Sequence, residues 1–145
     1  MPAWVNDAFT EYSKRLSHDF KVVLKEIKPI KRGSGVNAEQ GIAQEEARIL
    51  EAIPPGCFLV ILDERGQSLR SLQLAEKLKQ WQLSGQNLCF VIGGADGLGA
   101  QVKKIANLQL KLSDLTLPHG MVRVLLIEQL YRALSILNNH PYHRE

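Results

Sequence analysis

Three features of the chain predict an α/β fold of three layers around a mainly parallel sheet. Residues 57–62 and 88–92 are short, uninterrupted apolar runs, the pattern of strands buried on both faces of a parallel sheet. The segments around them carry apolar residues at three- and four-residue spacing, the period of amphipathic helices. In chain order the signals alternate as α-β-α-β-α-β-α-β-α, which lays helices on the faces of one sheet.

Pro2 followed by Trp4, Val5, Ala8, Phe9, Tyr12 and Leu16 predicts the first helix. Residues 20–27 read as a strand. Residues 28–36 contain Lys31, Arg32, Gly33, Ser34 and Gly35 and read as a basic loop, its charge solvated in preference to holding phosphate. Asn37 is placed to cap a helix carrying Ile42, Ala43, Ala47, Leu50 and Ile53, which Pro54, Pro55 and Gly56 end. After the apolar strand 57–62, Asp63, Glu64, Arg65 and Gly66 read as its exit loop. A helix from about Ser71 then turns Leu72, Ala75, Leu78 and Trp81 inward and stops before Gly85. Strand 88–92 runs into the turn of Gly93, Gly94 and Gly97. A short helix over 100–106 follows, and Leu108, Leu110 and Leu112 alternate with Gln109 and Lys111 as a half-buried strand.

The final helix, 122–137, gathers Glu128, Gln129, Arg132 and Ser135 on one polar stripe at about 100° per residue. The rest of its circumference is almost wholly apolar. So wide an arc suggests one contact to the sheet and one to another subunit, though a helix deep in a single core shows the same pattern. Arg123 lies in the apolar arc and must have a partner, because an unpaired buried guanidinium is very costly. Structural pairing and ligand anchoring both remain open for it.

At 145 residues the chain reads as one domain, long enough to bury roughly two thirds of its unfolded surface without a metal or disulfide staple. A composition 45% apolar and 23% charged excludes disordered and fibrous classes, and a net charge of +3 suits a polyanionic partner without requiring one. Cys57 and Cys89 lie in apolar runs and are expected as buried, reduced thiols. The N-terminus has no charged segment leading into an apolar core, and the longest apolar stretch, 122–137, is interrupted by Arg123, Glu128, Gln129 and Arg132. No membrane span is expected, and the cytoplasm is the expected compartment.

The turn from Gly93 to Gly97 lacks the Lys-Ser/Thr pair of a phosphate loop and the G-x-G-x-x-G spacing of dinucleotide folds, which disfavours both kinds of nucleotide binding. His119, His140 and His143 form no recognised metal spacing, so no metal is expected. No G-x-S-x-G elbow is present.

Taken in order, the segments Met1-Pro2-Ala3-Trp4-Val5, Phe9-Thr10-Glu11-Tyr12, Gly93-Gly94 with Gly97-Leu98, Leu115-Thr116-Leu117-Pro118-His119, Arg123-Val124, Glu128-Gln129-Leu130-Tyr131-Arg132-Ala133 and His140-Pro141-Tyr142-His143-Arg144-Glu145 closely resemble the ribosomal RNA large subunit methyltransferase H family. That family lies within the SPOUT superfamily of trefoil-knotted methyltransferases, and the resemblance covers nearly the whole chain. It implies a C-terminal knot, which periodicity cannot reveal. It implies a homodimer that uses S-adenosylmethionine to methylate N3 of a pseudouridine in large-subunit ribosomal RNA within the ribosome. The family's cofactor positions fall on Leu62, Gly93, Leu112, Ser113, Asp114, Leu115, Thr116 and Leu117. Apolar loops suit the adenine faces, and glycine permits close backbone approach.

Because N3 of pseudouridine carries a proton, a base or an anion-stabilising cation must assist its loss. His119, His143 and Arg144 are the candidates, with Tyr142 as a stacking or hydrogen-bonding platform; for His119 a structural role bonding the loop backbone stands beside the catalytic one. Members of the family begin with a short apolar strand before the Met-Pro-x-Trp segment, and Met1 coincides with that internal Met, so the first strand of the sheet is expected to be missing here. Two competing readings are a non-catalytic ribosome-binding or assembly factor, opposed by the intact cofactor segments, and a SPOUT enzyme acting on transfer RNA, opposed by the tail from His140 to Glu145.

Overall fold

The computed structural model describes residues 1–16, 19–30, 35, 37–94 and 96–143. Its elements are α1 (Ala3–Leu16), α2 (Ala38–Ala52), β1 (Phe58–Ser68), α3 (Ser71–Ser84), β2 (Leu88–Ile92), α4 (Ala100–Ile105), β3 (Leu108–Lys111) and α5 (His119–Leu137). The α/β class is as expected. The chain divides into two compact units of interleaved segments, one of Met1–Val23, Ser68–Gly85 and Leu112–Glu145, the other of Leu24–Gln67 and Gln86–Lys111.

The second unit holds the sheet, in the order β2-β1-β3. β1 and β2 are parallel, with Leu59 opposite Cys89, Ile61 opposite Val91, and Leu62 opposite Ile92. Strand side chains alternate between faces, so Leu59, Ile61, Cys89 and Val91 share one face. There they pack with Ile49, Leu98 and Val102, flanked by Ile27, Leu50, Ile53 and Ala106. Burying each large aliphatic chain contributes about 1.5–3 kcal/mol. Val60, on the opposite face, is also fully buried, as the uninterrupted apolar run requires. Asn107 ties β1 to the start of β3 with its backbone N–H to the Leu59 carbonyl and its Oδ1 to the Leu59 N–H, both at 2.8 Å.

α2 starts as expected. Asn37 Oδ1 accepts from Gln40 N–H at 2.8 Å while Gln40 Oε1 accepts from Asn37 N–H at 3.1 Å, a reciprocal cap. Its inward face departs from the expected one: Gly41, Glu46 and Ile49 are buried, whereas Ala43 and Ala47 are exposed. A buried carboxylate had turned the helix away from its purely apolar reading.

Two strand assignments change. Residues 63–66, read as an exit loop, continue β1 to Ser68. Gly66 there runs so close to its neighbour that a Cβ would lie 2.7 Å from the Gln109 carbonyl carbon and 2.8 Å from that of Leu110. Conversely, the described residues 20–30 contain no strand. Side-chain bonds tie it to α2 instead: Arg48 Nη1 donates to the Lys28 carbonyl at 2.7 Å, and Lys25 Nζ donates to the Ala52 carbonyl at 3.2 Å. The basic stretch 31–34 lies outside the described residues. Cys57 and Cys89 are free but only half-buried, less than their apolar runs suggested, because Cys57 precedes β1 and Cys89 stands one residue into β2.

The first unit is helical, with α5 packed against both α1 and α3. Val5 and Leu16 from α1, Leu74, Ala75, Leu78 and Trp81 from α3, and Leu126, Ile127, Ala133 and Leu134 from α5 are buried. Leu72, expected inward on α3, is exposed. Gly85 ends α3 in the left-handed conformation at φ 74°, which glycine adopts without penalty. α5 begins at His119, three residues earlier than expected, and none of its residues is exposed. No helix among the described residues is long and apolar enough to cross a membrane.

Candidate functional site

Leu62 and Gly93 lie where the pairing of β1 with β2 stops, while β1 itself runs on to Ser68. The Leu62–Ile92 pair closes the parallel register of β1 and β2, and Gly93 is the first residue beyond it. Gly93 thus stands just past the carboxyl end of β2, the strand end at which open α/β sheets bind ligands. A Cβ at Gly93 would lie 3.0 Å from the Gly97 carbonyl carbon and 3.0 Å from Leu98 Cγ, so this backbone admits no side chain without yielding. Gly97 N–H donates to the Gly94 carbonyl at 3.1 Å, and Gly97 holds φ at 83°, closing a tight turn.

The turn leads to α4, whose first residues are served from α2. Glu46 is only 9% exposed, and its Oε2 accepts from the Val102 N–H at 3.1 Å. Gly99, the residue capping α4, has no side chain to do this itself. At the strand end, Lys103 Nζ lies 3.5 Å from Asp63 Oδ2.

The residues from Leu112 to Leu117 belong to the helical unit and lead into α5. Ser113 Oγ accepts from the Leu115 N–H at 2.9 Å, a local turn that holds Leu115 outward with 76% of its surface exposed. Asp114 and Thr116 are exposed, whereas Leu112, Ser113 and Leu117 are half-buried. Pro118 caps α5, accepting from the Val122 N–H at 3.1 Å, and His119 opens the helix, half-buried. Arg123 is 7% exposed, as its place in the apolar arc required.

The tail folds back on α5. His140 N–H donates to the Ser135 carbonyl at 2.8 Å, and His140 Nδ1 accepts from the Tyr142 N–H at 3.2 Å. Tyr142 Oη donates to Glu128 Oε1 at 3.2 Å. That uses its only proton, so Tyr12 Oη, 3.3 Å away, is the donor to Tyr142. Glu128 also takes Arg132 Nε at 3.0 Å and Nη2 at 2.7 Å on Oε1, and Gln129 Nε2 at 2.9 Å on Oε2. Gln129 Oε1 in turn accepts from Ser71 Oγ at 2.7 Å. The ring of Tyr142 meets Tyr131 edge-on with centroids 4.6 Å apart, and the Arg15 guanidinium lies 4.9 Å from the Tyr12 ring.

This environment moves titrations. Burial, then the hydrogen bond with Tyr12 and the charge of Glu128, push the Tyr142 phenol well above its ordinary range. The hydrogen bond to Glu128 raises Arg132 further. The same reasoning about protons fixes the His143 tautomer. Ser135 Oγ donates to the Arg132 carbonyl at 2.7 Å, so His143 Nδ1, 3.1 Å from that oxygen, carries the proton and donates to it. The lone pair of neutral His143 is then on Nε2.

Of the expected residues, the structure joins Leu62 with Gly93, and Tyr142 with His143 on one face of α5. Arg144 lies outside the described residues. The sequence reading missed Tyr12, Arg15 and Glu128 as partners of Tyr142; the four-residue spacing of Glu128 and Arg132 was the signal available for that pair. Among the described residues no group of three or more His, Cys, Asp or Glu side chains is arranged to hold a metal.

Over residues 1–143 the chain matches the model of a family described as Predicted SPOUT methyltransferase. It is 66% identical over 145 residues to the ribosomal RNA large subunit methyltransferase H of Neisseria meningitidis serogroup C / serotype 2a, covering 100% of this chain and 93% of that protein. Proteins of the same name from Chromobacterium violaceum and Laribacter hongkongensis are 60% and 59% identical with the same coverage. With its match running from residue 1 to residue 143, the chain belongs to the SPOUT methyltransferase family.

Proposed function

We propose that this protein transfers a methyl group from S-adenosylmethionine to N3 of a pseudouridine in large-subunit (23S) ribosomal RNA, on the assembled ribosome. The observation that carries the reading is the 59–66% identity, over the full chain, to proteins named for methylation of large-subunit ribosomal RNA. The proposal extends to one SPOUT domain over residues 1–145 with a C-terminal trefoil knot, assembled as a homodimer in the cytoplasm.

Leu62 and Gly93 fit the cofactor. They stand where the parallel pairing of β1 and β2 stops, with a half-buried leucine for an apolar contact and a glycine whose missing side chain lets the Gly97–Leu98 segment fold close against it. Leu112, Ser113, Asp114, Leu115, Thr116 and Leu117 carry the same proposal on the strength of the family resemblance, offering apolar side chains and backbone amides. When bound, S-adenosylmethionine supplies an electrophilic methyl on a sulfonium sulfur.

The chain's own residues must orient the base and remove its N3 proton. His143, protonated on Nδ1 through Ser135, is suited to receive that proton on Nε2 as the N3–methyl bond forms. Arg144 would then offset the negative charge that develops on the base, and His119 serves as a second candidate for the same work. Tyr142, tied to Glu128 and Tyr12, sets where the tail begins and is proposed to present an aromatic surface to the RNA. The fixed geometry fits a reaction whose acceleration rests largely on positioning.

Calorimetric titration with S-adenosylmethionine tests the cofactor part of the reading. Saturable binding at one site per chain is expected, and Gly93→Ala should weaken it. A folded wild-type protein showing no binding heat at any concentration tried would remove the proposal.

A further inference from the structure

We infer that Glu45 and Glu46, adjacent on α2, are positioning residues that fix the glycine turn on which cofactor binding depends. The inference rests on the proposed role of Gly93 and assigns α2 the task of holding that residue's backbone in place.

These two carboxylates approach the turn at its two ends. Glu45 Oε2 is so near Gly94 that a Cβ there would lie 2.7 Å from it. Glu46 occupies the space a side chain would need at Gly99, where a Cβ would overlap its carboxylate. Between the two lies the Gly94–Gly97 bridge with its 3.1 Å hydrogen bond. Glycine at 94 and at 99 is thus explained by what approaches from α2, since neither has the positive φ that would demand glycine by itself.

Glu46 also makes a hydrogen bond there. Its Oε2 receives the N–H of Val102, a residue with no exposed surface, so without the carboxylate that amide is buried and unpaired. The far end of the turn would then keep the core packing of Leu98 and Val102 but lose the polar contact that fixes the first turn of α4, a helix of six residues, too short to stand alone. A Cβ at Gly93 would lie 3.0 Å from the Gly97 carbonyl carbon, so the two are closely apposed and a shift of the turn reaches the cofactor residue directly.

The test is a double-mutant cycle of Glu46→Ala and Gly99→Ala, read as S-adenosylmethionine affinity by calorimetry, with methylation kinetics and urea unfolding on the same samples. Each single change should raise Kd about tenfold, one removing the carboxylate and the other evicting it. The pair should cost little more than either alone, because an alanine at 99 fits once the carboxylate is gone. KM for S-adenosylmethionine should rise with kcat nearly unchanged, and Glu46→Gln, which retains an acceptor oxygen, should recover most of the affinity. Should Glu46→Ala not fold, Gly99→Ala and Glu46→Gln decide by the same affinity criterion. Folded variants that are less stable yet bind with wild-type Kd overturn the inference and leave the cofactor site standing, as do fully additive losses. A wild-type protein that does not bind S-adenosylmethionine removes both together.

Discussion

Tyr142 gives its phenolic proton to the Glu128 carboxylate at 3.2 Å, and this contact joins the tail to α5. The bond belongs to a network in which Arg132 and Gln129 share the same carboxylate, so Glu128 remains partnered when Tyr142 is altered. Tyr142→Phe removes the bond to this carboxylate and the one received from Tyr12, and should cost about 1.5–3 kcal/mol. Urea unfolding at neutral pH measures it. A loss well beyond that range would mean the hydroxyl supports more than Glu128 and Tyr12.

The raised titration of Tyr142 gives that bond a pH signature. The fold favours the neutral phenol, so the stabilisation is complete below the unfolded value of about 10 and declines as pH rises above it toward the folded one. The gap in urea midpoint between wild type and Tyr142→Phe should narrow from pH 9 to pH 11. A gap that is constant or widens would contradict the described environment.

At Gly66 the obstacle to a side chain is backbone, with Gln109 and Leu110 carbonyl carbons at 2.7 and 2.8 Å from a Cβ. Neither can rotate aside as a side-chain end would. Gly66→Ala should thus destabilise by about 1–3 kcal/mol, the usual cost of overpacking. Thermal unfolding of the purified variant checks this, and a Tm equal to wild type would show that β1 and β3 lie further apart.

Cys89 is raised from 9.0 to about 11, first by burial and then by the neighbouring Cys57 thiol. The thiol form is favoured by the fold, so its contribution to stability is present below pH 9 and is lost between about pH 9 and 11. Iodoacetamide at pH 9 should modify Cys89 in the folded protein at least about tenfold more slowly than in urea, since the thiolate is the nucleophile. Equal rates, read by mass spectrometry of the labelled peptides, would place Cys89 in a more open setting.

The homodimer proposal predicts a light-scattering mass twice the 16.3 kDa of the chain at micromolar concentration. The broad apolar arc of α5 motivates it, although α1 and α3 already cover part of that helix. A mass that stays at one chain would end the proposal.

Much of this fold was legible because its signals are local. Asn37 and Gln40 form the expected cap, Gly85 ends its helix, and the parallel pair of β1 and β2 follows from two apolar runs. The misreadings occur where distant residues decide. Residues 63–68 are polar and gain strand structure through neighbours that no window of sequence contains. The segment 20–30 has apolar residues, yet Arg48 satisfies the Lys28 carbonyl that a strand partner would otherwise have used, and Lys25 turns to the Ala52 carbonyl of α2. Glu46 is an acid on a helix, a residue type ordinarily solvated, and only the fold brings it to the Val102 amide. In the candidate site, the glycine turn was visible as a motif, whereas the partners of Tyr142 on α1 and α5 lie up to 130 positions away.

The most direct test of the functional account is to incubate the protein and S-adenosylmethionine with ribosomes lacking the modification and to map the methyl group by mass spectrometry of the 23S RNA. The account predicts one methyl at N3 of a single pseudouridine, formed on assembled ribosomes and lost when residues 140–145 are deleted, with cofactor affinity kept within a few fold. Methylation of transfer RNA instead, or cofactor binding with no methyl transferred to any ribosomal RNA, would contradict it.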